Sequence, residues 1–134
     1  MALLENKIGL VTGAGGGDGG GGGGGIGRAI AQAFAREGAK VLVADFNAET
    51  GQETVDLIKA AGGEAVLAVA DVSDEEAVKG MVNAAVEAFG GLDIACNSAA
   101  LSRGAGPIHQ FERKVFDDTL TMCLTNTWLC MKYE

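Results

Sequence analysis

At 134 residues, 48% of them hydrophobic, the chain is long enough for one compact domain spanning 1–134 and too short for two. Its formal charge of −8 argues against the Lys- and Arg-rich surfaces that grip nucleic acid or anionic lipid, and no apolar run approaches the roughly 18 residues of a membrane span. Small-molecule chemistry is what remains, with no nucleic-acid or membrane partner expected.

Met1–Lys7 lacks the basic-then-apolar order of a signal peptide, which points to a cytoplasmic protein. Cys96, Cys123 and Cys130 are odd in number and form no CxxC pair, so they read as buried thiols in a reducing compartment, with neither a disulfide framework nor a metal site.

In chain order, Ile8-Gly9-Leu10-Val11 reads as a buried strand that runs through Thr12 into a glycine run over positions 13 to 27, GAGGGDGGGGGGGIG. Ile26, Ala29, Ile30, Ala33 and Phe34 then recur at helical spacing until Gly38 stops the helix. Lys40 to Asp45 is a second strand, and Asn47 caps a helix that runs through Lys59 and ends at Gly62-Gly63. Ala65 to Ala70 forms the third strand. Ser73 and Glu76 have capping-box spacing, and Ala77, Val78, Met81, Val82, Ala85, Val86 and Phe89 make the apolar stripe of the helix they open. After Gly90-Gly91, Leu92 to Cys96 is a fourth strand, and beyond Pro107 a fourth helix carries Phe116, Leu120, Leu124 and Trp128.

Strand and helix alternating four times predict an α/β fold: a parallel sheet of about four strands with helices on both faces. Ligands of such sheets bind beyond the carboxyl ends of the strands. Thr12-Gly13, Asp45, Asp71 and Asn97 each stand at one of those ends. Allowing for the excess length of the glycine run, Asp45 falls near the distance from Gly13 at which an acid accepts both ribose hydroxyls, and its charge would repel a 2′-phosphate. The implied cofactor is therefore NAD and not NADP. Asp45 also has a plainer reading as a solvated strand-end carboxylate, and Asp71 as a helix-starting one. His109 reads as a surface residue, Tyr133 as an aromatic helix residue, and Trp128 and Met131 as core or interface.

Thr12-Gly13 with Gly25-Ile26-Gly27, Asp45, Asp71-Val72, and Cys96-Asn97-Ser98-Ala99-Ala100 together resemble, in order, the TGxxxGIG, acidic, aspartate and NNAG elements of the short-chain dehydrogenases/reductases. The resemblance covers the whole chain. It implies a Rossmann-type parallel sheet, here truncated after about four strands, with NAD(H) binding and hydride transfer between nicotinamide and a hydroxyl or carbonyl carbon of a small-molecule substrate. The cofactor residues it implies are Gly13, Gly17, Gly25, Ile26, Gly27, Asp45, Asp71, Val72, Asn97 and Ala99. Asp45 would hold the adenosine ribose and Asp71 the adenine amino group with Val72 beside the ring, while Asn97 and Ala99 would line the ribose and nicotinamide half. Trp128 to Tyr133 further resembles members that oxidise cyclic secondary alcohols.

The departures carry as much weight. The family's chemistry uses a tyrosine, a lysine four residues later and a serine, all placed beyond the fourth helix. Here Tyr133 is followed by Glu134 alone, so no catalytic residue is assigned and the chain is expected to be inactive by itself. The family's helix asparagine aligns with Cys123, and Asn126 falls where the family usually has glycine. Ser98 and Ala100 replace the second asparagine and the glycine of NNAG. With no further strand, Leu92 to Cys96 is expected to be an open edge, so self-association through that edge or the last helix is predicted.

The glycine run carries about eight residues more than the family turn. Lengthening a loop from roughly six to fourteen residues costs under ~1 kcal/mol of closure entropy, so the fold should tolerate it. Ordering the extra glycines around a phosphate costs more, and Asp18 adds a negative charge, so weaker nucleotide binding is expected. Gly19 to Gly25, seven consecutive glycines, read as low-complexity expansion. A second class of function therefore stands beside the oxidoreductase: a non-enzymatic remnant that binds nucleotide weakly or only associates with related subunits. A Rossmann-type methyltransferase shares the glycine turn and strand-end acid, but gives no reason for Asp71-Val72 followed by the Asn97 segment.

Overall fold

The computed structural model describes residues 1–16, 25–101 and 106–134. Four strands, β1 (Ile8–Thr12), β2 (Lys40–Asp45), β3 (Glu64–Val69) and β4 (Ile94–Asn97), form one sheet in the order β3-β2-β1-β4, and every pairing is parallel. Helices α1 (Ile26–Arg36), α2 (Ala48–Ala60) and α3 (Glu75–Phe89) connect them. After β4 come a 3₁₀ turn at Ile108–Gln110, α4 (Arg113–Leu120), a π-turn at Thr121–Thr125 and α5 (Asn126–Tyr133). The expected doubly covered parallel sheet is what forms.

Alternation along the strands sends successive side chains to opposite faces. Leu10 and Leu42 turn to one side, where they pack with Val78, Met81 and Ala85 of α3 and Leu129 and Cys130 of α5. Val11, Val41 and Val43 turn to the other, against Ala31 of α1 and Val55 and Ile58 of α2. The apolar strands are thus buried on both faces, as a parallel sheet requires.

The register sets the functional rim. Thr12 lies opposite Ala44 of β2 and Asn97 of β4, so the carboxyl ends of β1, β2 and β4 finish level with one another. The strand order reverses between β1 and β4, which places the ligand crevice of this fold above those two strands.

Local signals hold where short-range bonds decide. Asn47 caps α2, its side chain accepting from the Glu49 and Thr50 N–H groups at 3.0 and 3.2 Å. Gly38, Gly62 and Gly90 adopt left-handed backbone at φ 93, 84 and 94 where their helices end.

Other expectations need correction. The Ser73–Glu76 capping box does not form, because Ser73 Oγ donates to Asp71 and Asp74 caps α3 by accepting from Glu76 N–H at 2.9 Å. The third strand begins and ends one residue earlier than expected, and the fourth begins two later. On α1 the buried residues are Gly27 and Ala31, while Ile26 is exposed. Val86 likewise points outward from α3.

Of the three thiols only Cys130 is buried; Cys96 is intermediate and Cys123 exposed. His109 is exposed, as expected. Phe116, Leu120, Leu124 and Trp128 are 41% to 65% exposed and Met131 67%, so none of these belongs to the core. β4 pairs only with β1 among the described residues, so it is an edge strand there.

Candidate functional site

The turn after β1 is built by contacts that exclude side chains. Gly13 has φ 63, a backbone conformation that favours glycine, and a Cβ on it would stand 2.8 Å from Ala99 Cα. A Cβ on Gly27, at the start of α1, would overlap the Gly13 carbonyl oxygen. Gly25 caps α1 at φ 101 with no side-chain bond, leaving the first N–H groups of the helix without a side-chain acceptor at the cap. Such a helix start attracts anions. Gly17 and Asp18 lie outside the described residues.

Asp45 closes the β2 side of this turn. Its carboxylate is buried, with Oδ2 accepting the Gly15 N–H at 2.8 Å and Oδ1 the Asn47 N–H at 2.9 Å. Two backbone donors therefore hold the carboxylate in place. Each oxygen keeps one lone-pair direction for a further donor.

Arg28 straps the same turn from beneath. Its Nε donates to Thr54 Oγ1 at 2.9 Å, while Nη2 faces the Gly15 carbonyl, the Thr50 carbonyl at 3.2 Å and Glu53 Oε2 at 2.8 Å. Thr54, fully buried, passes its own proton to the Ala14 carbonyl at 2.7 Å. Sequence reasoning missed both residues. Arg28 directly follows Gly27 and had a positional signal, whereas nothing local marks Thr54 as a buried hydroxyl.

On the β4 side, Thr12 Oγ1 accepts the Ala99 N–H at 3.1 Å and joins the first strand end to the fourth. Asn97 Nδ2 donates to Glu134 Oε2 at 3.0 Å, but its buried Oδ1 has no partner among the described residues. An unsatisfied buried acceptor at a ligand crevice calls for a donor such as a sugar hydroxyl. Cys123 is exposed and its Sγ lies 3.7 Å from the Leu101 carbonyl.

Asp71 stands farther out, past the end of β3. Its Oδ1 accepts both Ser73 Oγ–H at 2.6 Å and Ser73 N–H at 2.9 Å, and these bonds hold its carboxyl below the ordinary aspartate value. Val72 turns its side chain into the core beside Leu10 and Val78. Thus Gly13, Gly27, Asp45 and Ala99 are brought together around one turn with Asn97 at its edge. Ile26 projects into solvent from the helix start, and Asp71 is separated from the turn by β2.

The residues present fit a dinucleotide: a side-chain-free turn at a helix start, a braced carboxylate with spare acceptor capacity, and an orphaned amide oxygen across the crevice.

The sequence matches the family model described as enoyl-(acyl carrier protein) reductase over residues 21–134. It is 41% identical over 134 residues to 2,5-dichloro-2,5-cyclohexadiene-1,4-diol dehydrogenase of Sphingobium indicum, covering 100% of this chain and 49% of that protein. It is 39% identical to an uncharacterized oxidoreductase of Bacillus subtilis, over 99% of this chain and 46% of the relative. Among solved structures, a short chain dehydrogenase from Mycobacterium avium superposes with a TM-score of 0.87 at 36% identity, covering 99% of this chain and 46% of that one. A hydroxysteroid dehydrogenase from Escherichia coli does so with 0.85 at 28% identity, over 97% and 51%. The chain spans about half the length of the curated relatives it matches.

Family and fold together imply a nicotinamide-nucleotide cofactor, NAD or NADP. With the turn, the strand order and these matches in agreement, the chain belongs to the short-chain dehydrogenase/reductase family.

Proposed function

We propose that these residues form the NAD(H)-binding part of an oxidoreductase that acts on a hydroxyl or carbonyl carbon. The observation that carries the choice of NAD is Asp45. Its buried carboxylate is braced by the Gly15 and Asn47 N–H groups and keeps acceptor capacity for ribose hydroxyls, while its charge opposes a 2′-phosphate. The neighbouring cation, Arg28, is engaged by Thr54, Glu53 and two carbonyls.

In this reading Gly13, Gly17, Gly25, Ile26 and Gly27 carry the pyrophosphate turn, Asp45 the adenosine ribose, and Asp71 with the Val72 backbone the adenine. Asn97 and Ala99 line the other half. A bound nicotinamide supplies the hydride donor or acceptor; the residues here bind and orient it. The 134 residues contain no Tyr-x-x-x-Lys pattern, so no proton-transfer step is assigned to them and activity is not expected of this stretch alone. The likeness to a cyclohexadienediol dehydrogenase supports a cyclic secondary alcohol as the substrate class.

A cytoplasmic setting belongs to the same reading, supported by three cysteines that stand as free thiols, Cys123 among them on the surface. Self-association is supported by the exposed Phe116, Leu120, Leu124 and Trp128 and by the β4 edge. Sedimentation at increasing concentration tests it, and a monomer throughout rejects it.

Titration with NADH and NADPH, followed by nucleotide fluorescence, tests the main reading. Saturable binding with NADH preferred is the expected result. A folded sample that binds neither nucleotide rejects the cofactor assignment, and a preference for NADPH rejects the role of Asp45.

A further inference from the structure

Between α4 and α5 the helix passes through one π-turn, in which the Asn126 N–H donates to the Thr121 carbonyl five residues back. It thereby passes over the Met122 carbonyl, its partner in a regular α-helix. The Asn126 side chain returns to that oxygen: Nδ2 donates to the Met122 carbonyl at 2.5 Å. The same Nδ2 reaches out of the helix to the Ala99 carbonyl at 3.2 Å. Asn126 is 1% exposed, so water does not compete for either bond, and Thr127 Oγ1 approaches its Oδ1 at 3.1 Å.

Ala99 is thereby gripped at both ends of its backbone. Thr12 Oγ1 takes its N–H and Asn126 Nδ2 holds its carbonyl. It also lies against Gly13, so closely that a Cβ there would stand 2.8 Å from Ala99 Cα. This is the β4 wall of the crevice at the reversal of strand order, and Asp45 stands on the opposite, β2 side. A dinucleotide that leaves one ribose at Asp45 and crosses the turn must pass Ala99.

We propose that Asn126 is a positioning residue for the nicotinamide-bearing half of the cofactor. It returns a donor to the Met122 carbonyl that its own backbone N–H passes over, and uses its second N–H to fix the Ala99 peptide against the phosphate turn. The inference rests on the nucleotide-binding reading above.

The test compares NADH with AMP, which carries only the Asp45 half of the ligand, on the intact protein and on Asn126→Ala. NADH binding is expected to weaken about tenfold, the effect of one buried hydrogen bond, while AMP affinity stays within about twofold. The fluorescence gain of bound NADH should fall as well, since the nicotinamide is less tightly held. Should the variant fold poorly, the native protein answers the same question: the Asn126 side-chain amide resonances should shift on adding NADH and stay in place on adding AMP. Equal weakening of NADH and AMP, unchanged NADH affinity, or amide resonances that respond alike to both ligands overturns the proposal while leaving nucleotide binding intact. Failure of the native protein to bind either ligand overturns the nucleotide reading and this inference together.

Discussion

Thr54 Oγ1 and the Ala14 carbonyl meet at 2.7 Å across 40 residues of sequence, both residues fully buried, tying the middle of α2 to the turn after β1. Because Arg28 Nε also donates to that hydroxyl, Thr54 is the joint through which α1, α2 and the turn hold one another. Thr54→Val keeps the shape and removes the joint. The expected cost is about 1–3 kcal/mol, since two buried polar groups lose a partner. Thermal melting checks it, and an unchanged midpoint would show that Arg28 and Ala14 find other partners without loss.

Asp45→Asn tests the brace and the cofactor choice together. Both carboxylate oxygens accept backbone N–H bonds, so an amide must turn its own NH₂ toward one of those donors. NADH affinity should fall by roughly 1.5–3 kcal/mol, the range of hydrogen bonds to a charged group, and the preference over NADPH should narrow. Competitive titration of the two nucleotides measures both effects. Retention of the full NADH preference would count against Asp45 as the discriminating group.

Two glycine substitutions should move stability in opposite directions. At Gly27 a methyl group overlaps the Gly13 carbonyl oxygen, a backbone atom that cannot swing aside, so Gly27→Ala should destabilise by roughly 3 kcal/mol or more. At Gly80, within α3, nothing lies within 4 Å of the added Cβ, and Gly80→Ala should stabilise by about 0.5–1 kcal/mol. Denaturant titration of the pair decides it. Equal effects would contradict the packing described at the β1–α1 joint.

The three cysteines should react with iodoacetamide in an order set by exposure. Cys123 lies on the surface, Cys96 is partly covered with its thiol pKa raised by burial, and Cys130 is buried with its thiol pushed up to about 11. At pH 8 Cys123 should be modified first and Cys130 last, because the thiolate is the reactive form. Mass mapping of a time course reads the order. Early modification of Cys130 under native conditions would mean that α5 opens readily.

Asp71 supplies a pH dependence. Its hydrogen bond from the Ser73 hydroxyl, followed by that from the Ser73 N–H, holds its folded-state pKa below the ordinary 3.8. A depressed folded value means that the contribution is complete above the unfolded pKa and is lost as pH falls through the folded one. Ser73→Ala should therefore move the Asp71 carboxyl titration upward, toward 3.8, and make acid unfolding begin at higher pH. Carboxyl chemical shifts followed by NMR provide the check.

The parts of the fold that could be read from the chain are those fixed by neighbours in sequence. Asn47 finds its acceptor role two and three residues away, Gly38 and Gly62 end their helices by local backbone geometry, and alternation in β1 and β2 sorts Leu10 and Leu42 from Val11 and Val43. The strand-end residues of the site were legible for the same reason. The rest depends on partners distant in sequence. Ser73 looked like a cap until Asp71 claimed its hydroxyl, and Val86 belonged to the α3 stripe by period yet lies beyond the width of the covered face. The Arg28–Thr54–Ala14 chain and the bond from Asn126 to Ala99 join elements that only the folded sheet brings together.

The contact between Gly13 and Gly27 has one more consequence. It fastens the chain to itself on both sides of the glycine run, so β1 and α1 take their relative positions without reference to how many residues lie between the two fasteners. A change in the length of that stretch is therefore expected to leave the β1–α1 joint in place, each doubling costing only about 0.6 kcal/mol of closure entropy. A reporter peptide spliced there would leave the sheet as it is, and would make the site a natural place to attach a probe of nucleotide arrival.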